Sequence, residues 1–151
     1  MNKHELNQLG IAFVQKMFES HGYSIDKPPV TKGPVDLIAS LNGKIKLKIK
    51  VRSISQMGSY VFIEKRRFNT NDPDLYMAVA YLPNNEEERG LYLVPATEWN
   101  KGIYPFKGKD YDKPGLVSEP EWGISFSQKA KDAMEPYRFS KILSNFGLSY
   151  G

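Results

Sequence analysis

Asp36, Lys50 and Arg52 are the side chains whose types and spacing could do chemistry on a phosphate. Asp36 is a lone carboxylate in an otherwise apolar stretch, Val-Asp-Leu-Ile-Ala at 35–39. Lys50 and Arg52 close a run in which Ile45, Leu47, Ile49 and Val51 alternate faultlessly with Lys44, Lys46, Lys48, Lys50 and Arg52. A strand's period of two puts the apolar set on one face and every one of those cations on the other. A carboxylate can hold a divalent cation, whereas Lys and Arg take phosphate oxygens directly, Arg through a planar fork. One buried-type carboxylate beside a row of cations points either to phosphate chemistry or to phosphate binding.

The elements that must position these groups can be read around them. Asn42-Gly43 is the dipeptide best suited to the positive φ angles of a tight hairpin turn, so 35–39 and 44–53 should pair as antiparallel strands. Before them, Leu6, Leu9, Gly10, Phe13, Val14, Met17 and Phe18 recur at three and four residues, an apolar helical stripe that Gly22 stops. A short strand at 23–25 and a loop at 26–33 follow. Beyond the hairpin, 53–59 reads as a polar connection and 60–64 as a strand. The continuous apolar run at 75–81 reads as a strand covered on both faces, and 91–94 as its neighbour, closed by Pro95. From 96 to 123 the composition turns to Pro, Gly, Lys, Asp and aromatics, which suggests short helical turns or an ordered loop. Ser127 caps a helix running to Met134, and Phe139, Ile142, Leu143 and Phe146 form a last apolar stripe. Helix, mixed sheet, then helices is an α/β (α+β) pattern.

With 151 residues the chain reads as a single domain, 1–151, with a core over about 3–99 and a C-terminal extension over about 100–151. It has no cysteine, which excludes disulfides and thiolate metal sites and makes a cytoplasmic location the expectation. The opening Met-Asn-Lys-His-Glu-Leu suits a polar helix rather than a signal peptide, and the longest apolar run is too short to cross a bilayer, so no membrane association is expected. The formal charge of +4 is modest, but cations cluster at 44–52 and again at Lys65-Arg66-Arg67, with the acids elsewhere. That asymmetry favours a nucleic-acid partner. His4 and His21, the two histidines, lie near opposite ends of one helix and make no metal pair.

Pro34-Val35-Asp36-Leu37-Ile38-Ala39 and Lys50-Val51-Arg52-Ser53 resemble the two halves of the active-site hairpin of the PD-(D/E)XK nuclease superfamily, which includes restriction enzymes and Holliday-junction resolvases. The likeness extends to 74–81 and 91–95 and covers about 5–99. It implies a restriction-endonuclease-like core, a central mixed β-sheet flanked by helices, with a C-terminal helical extension. It also implies DNA as partner, Mg²⁺ as cofactor if the site is active, and a catalytic cluster of Asp36, Lys50 and Arg52. In working relatives the first Asp and a second acidic group hold the metal, and a Lys two positions on polarises the phosphate. Here Lys50 stands at the ligand position and Arg52 at the lysine position. A fixed positive charge about 4 Å from a divalent ion costs roughly 8 kcal/mol at an effective dielectric near 20.

The resemblance therefore implies a nucleic-acid-associated protein with a degenerate metal site and weak or absent nuclease activity. Lys46, Lys48, Lys65, Arg66 and Arg67 would be its phosphate contacts. An active Mg²⁺-dependent endonuclease needs a replacement ligand beside Asp36: Glu64 on the next strand, or Glu5 on the first helix, where Asn7 or Gln8 is the other occupant of the position at which relatives carry a glutamate. A non-enzymatic scaffold, binding a protein partner or a second copy through the aromatic tail, is the third reading. Against all three stand plainer ones. Asp36 could pair with Lys50 or Arg52 as a structural ion bridge, and a Lys-rich strand is a familiar solvent-facing edge.

Overall fold

The computed structural model describes residues 1–28, 35–111, 114–115 and 118–146. Most of the 26–33 loop, and the Pro34 of the first motif, lie outside the described residues.

Helix α1 (Lys3–Ser20) starts where the Asn2 side chain accepts a hydrogen bond from the Glu5 amide at 2.8 Å, and Gly22 follows it at φ 87°. Its Gly10, Val14 and Phe18 are buried. Gly10 is required by contact: a Cβ there would sit 1.7 Å from Ser53 Oγ, so helix and sheet approach each other through the missing methyl. A short strand β1 (Ser24–Asp26) leads to β2 (Leu37–Leu41) and β3 (Ile45–Ile54). The hairpin forms as the sequence suggests, with Asn42 and Gly43 at φ 52° and 70° and Leu41 facing Ile45.

After β4 (Ser59–Glu64) comes β5 (Leu75–Tyr81), almost wholly buried, then β6 (Gly90–Pro95). β5 lies parallel to β3 and antiparallel to β6, which completes a five-stranded mixed sheet in the order β1-β2-β3-β5-β6. β3 is the middle strand, so the edge-strand reading of its lysines is wrong.

The two faces of this sheet carry separate cores. On one, Leu47, Ile49, Val51, Ala78 and Leu93 pack against Val14 and Phe18 of α1 and against Phe139, Ile142 and Leu143 of the C-terminal helix α3 (Phe139–Ser144). On the other, Ile54, Met77, Val79 and Val94 meet Val61, Ile63, Ile124 and Phe126, together with Met134, which ends helix α2 (Gln128–Ala133). This second layer is a three-stranded antiparallel sheet, β4-β8-β7, made with β7 (Phe106–Lys109) and β8 (Glu121–Phe126). The 96–123 segment thus contributes strands as well as the 3-10 turn Ala96–Asn100, a correction to the loop reading. Because Ile54 belongs to this side, the alternating partners Arg52, Lys50, Lys48 and Lys46 face the second layer rather than α1.

Candidate nucleic-acid interface

Asp36 precedes β2 and is locked to β3 by its backbone, its amide donating to the Ile49 carbonyl at 2.8 Å. The carboxylate then turns along β3. One oxygen accepts from the Val51 amide at 2.7 Å, and Lys50 Nζ stands 3.4 Å from that oxygen and 3.5 Å from the other. Lys50 is 8% exposed. Burial, the dominant influence, pulls the Lys50 ammonium below its ordinary value, and Asp36 opposes that pull. Arg52 comes next on the same face, its Nε donating to the Phe62 carbonyl of β4 at 2.8 Å. Burial lowers its pKa as well, with Asp36 and Glu64 acting against burial and Arg67 acting with it.

The structure therefore brings Asp36 and Lys50 into direct contact and sets Arg52 beside them. It realises the ion bridge that the plainer reading named. Lys48 contacts Asp72 in the turn before β5, where its hydrogen bond holds the Asp72 carboxyl below the usual range. Lys46 is exposed on the same face nearer the hairpin turn. Lys65, Arg66 and Arg67 occupy one 3-10 turn and diverge. Lys65 pairs with Asp110 at 2.7 Å and lies over the Trp122 ring, and Arg66 pairs with Glu119 at 3.1 Å. Arg67 alone of the three lines the cleft beside Arg52, with Glu64 3.7 Å away.

That cleft, 590 Å³ and open to solvent, runs between α1 (Lys3, Leu6, Asn7), the end of β3 with the residue after it (Arg52 to Ser55) and β4 (Ser59 to Phe62, and Glu64). Asn7 rather than Glu5 faces it, so the helix contributes an amide where a carboxylate would serve a metal. Lys3, Tyr60 and Phe62 were not singled out by the motif. The available signal was the spacing of two between Tyr60 and Phe62, which puts both rings on one face of β4.

Two of the solved structures that resemble this chain are described as a Holliday junction resolvase and a homing endonuclease. The Holliday junction resolvase Hjc of the archaeal hyperthermophile Archaeoglobus fulgidus superposes with a TM-score of 0.56 at 12% identity, over 91% of this chain and 95% of that one. The bacterial homing endonuclease I-Ssp6803I superposes with a TM-score of 0.55 at 14% identity, over 95% of this chain and 91% of that one. At these identities the likeness is one of fold. This chain has the restriction-endonuclease-like fold. Neither a protein-family model nor a curated protein sequence matches it.

The fold implies Mg²⁺, and the residues present do not fit it. Among the described residues no three of His, Cys, Asp and Glu gather where they could hold a metal. The carboxylate at the motif position, Asp36, already faces an amide and an ammonium with its two oxygens. A divalent ion there would meet the Lys50 charge in a partly desolvated setting, where repulsion is strongest.

No helix among the described residues is long and apolar enough to cross a membrane.

Proposed function

We propose that this protein binds DNA through the face of the nuclease fold that holds the metal in active relatives, and that it does so without a metal and with little or no strand cleavage. The observation that carries this reading is the Asp36–Lys50 pair, with Nζ at 3.4 Å from the carboxylate. Lys50 supplies at that position the positive charge that a cation would supply, and Arg52 extends it. Lys46 and Lys48 continue the row toward the hairpin turn, giving a line of cations suited to a phosphate backbone.

Two assays on one preparation test this. Fluorescence anisotropy with a labelled DNA duplex, in EDTA and then in excess Mg²⁺, should give affinities that differ only by the ionic-strength effect. Reversing Lys46 and Lys48 to Glu should abolish binding at low salt. Supercoiled plasmid with Mg²⁺ or Mn²⁺ should show no nicking above an Asp36→Ala control. Metal-dependent nicking that the control lacks would establish the endonuclease reading instead, with Glu64, at the edge of the cleft, as the ligand to examine next.

A further inference from the structure

The outer face of the second sheet carries an aromatic pair that neither core explains. Phe62 is 45% exposed and stacks on Tyr60 with ring centroids 5.7 Å apart and planes inclined by 16°. Tyr60 is fixed in place. Its hydroxyl donates to Glu121 at 2.6 Å, and its ring lies so close over Gly123 of β8 that a Cβ there would come within 2.3–2.6 Å. Lys109 Nζ lies 4.3 Å from the Tyr60 ring centroid. Phe62 is thus held against a rigid, cation-backed ring while much of its surface meets solvent. Both aromatics also line the cleft, in which Lys3, Arg52 and Arg67 outnumber the carboxylate of Glu64. The Phe62 carbonyl receives Arg52 Nε, so the guanidinium and the ring are anchored to one residue.

A fixed aromatic surface beside a cationic cleft matches the two parts of an unpaired nucleotide, a base with a π face and an anionic phosphate. A duplex keeps its bases stacked inside and offers nothing to Phe62. We propose that this cleft binds single-stranded DNA, the phosphate lying among Lys3, Arg52 and Arg67 and an unstacked base lying on Phe62. The proposal rests on the DNA-binding reading above and adds to it a preference for unpaired strands.

The test uses the full chain and a short oligonucleotide carrying 2-aminopurine, read both by anisotropy and by base fluorescence, with the matching duplex alongside. Wild-type protein should bind the single strand more tightly than the duplex and quench the 2-aminopurine. Phe62→Ala should weaken single-strand binding about tenfold and remove the quenching while leaving duplex affinity unchanged. Phe62→Trp should retain both signals. Because Phe62 lies on the surface, thermal unfolding of Phe62→Ala should match wild type. If wild type binds single strand and duplex alike and Phe62→Ala changes neither signal, the base platform is refuted while DNA binding stands. If no DNA binds at low salt, both readings fail. If Phe62→Ala converts a dimer to a monomer in sedimentation, the ring belongs to a second copy of the chain and the proposal is overturned.

Discussion

At the residue scale, the Asp36–Lys50 pair makes opposite demands on stability and on binding. Asp36→Asn leaves an ammonium that is only 8% exposed without its counter-charge, which should cost about 2–3 kcal/mol in urea unfolding at neutral pH. Adding Lys50→Met removes the stranded charge, so the double variant should be more stable than Asp36→Asn alone. Simple additivity of the two losses would show that the pair is not coupled. The Lys50 pKa lies below 10.5 in the folded chain and at its ordinary value when unfolded. Between those two values the native state binds fewer protons, so this group's contribution to stability grows as pH rises through that window. Its charge toward a phosphate follows the other direction, being full at low pH and lost as pH climbs toward 10.5. The difference in DNA affinity between wild type and Lys50→Met should therefore shrink on the alkaline side before the remaining lysines titrate. A difference that holds constant up to 10.5 would mean that burial does not act on Lys50.

At the element scale, the hairpin and the helices were legible because their signals are local. Asn42-Gly43 has one good conformation, the alternation of 44–52 has one period, and Ser127 caps α2 by accepting from the Ala130 amide at 3.1 Å. Of the second sheet only β4 was legible, as the strand expected at 60–64; β7 and β8 were not, and their glycines are part of the reason. Gly108 and Gly123 look like loop residues in sequence, yet each makes room for a ring: a Cβ on Gly108 would lie 2.8 Å from the Trp122 ring, as one on Gly123 would strike Tyr60. β8 does alternate, Trp122, Ile124 and Phe126 against Gly123 and Ser125, but over too few residues, after a stretch of Pro, Gly and Asp, to stand out from a loop. The site divides the same way. Asp36 and Lys50 were readable from motif spacing, whereas the partnership of Lys3, Arg52 and Phe62 depends on how α1 and β4 dock. Docking of α1 can be probed at Gly10. Gly10→Ala gains helix propensity of about 1 kcal/mol but drives a methyl into Ser53 Oγ, and a net loss of about 1–2 kcal/mol is expected by chemical denaturation. Ser53→Ala in the same chain should recover part of it.

At the scale of the whole molecule, a formal charge of +4 gives only a weak general attraction to DNA, so affinity must come from where the cations stand. Three contacts from Lys46, Lys48 and Arg52, with Lys50 held inward by Asp36, correspond to a slope of about −3 in log affinity against log salt. A slope near zero would remove the phosphate row from the interface. The fold contributes rigidity: β3 is clamped between β2 and β5, so the cations cannot retreat from one another and the Asp36 carboxylate cannot turn freely toward an ion. The most direct test is a titration of Mn²⁺ into this 151-residue chain, with free ion followed by its electron paramagnetic resonance signal. The expected result is no saturable site, with the signal tracking that of buffer into the millimolar range. A stoichiometric site that disappears in Asp36→Ala would show the opposite, that Lys50 yields its place to a metal.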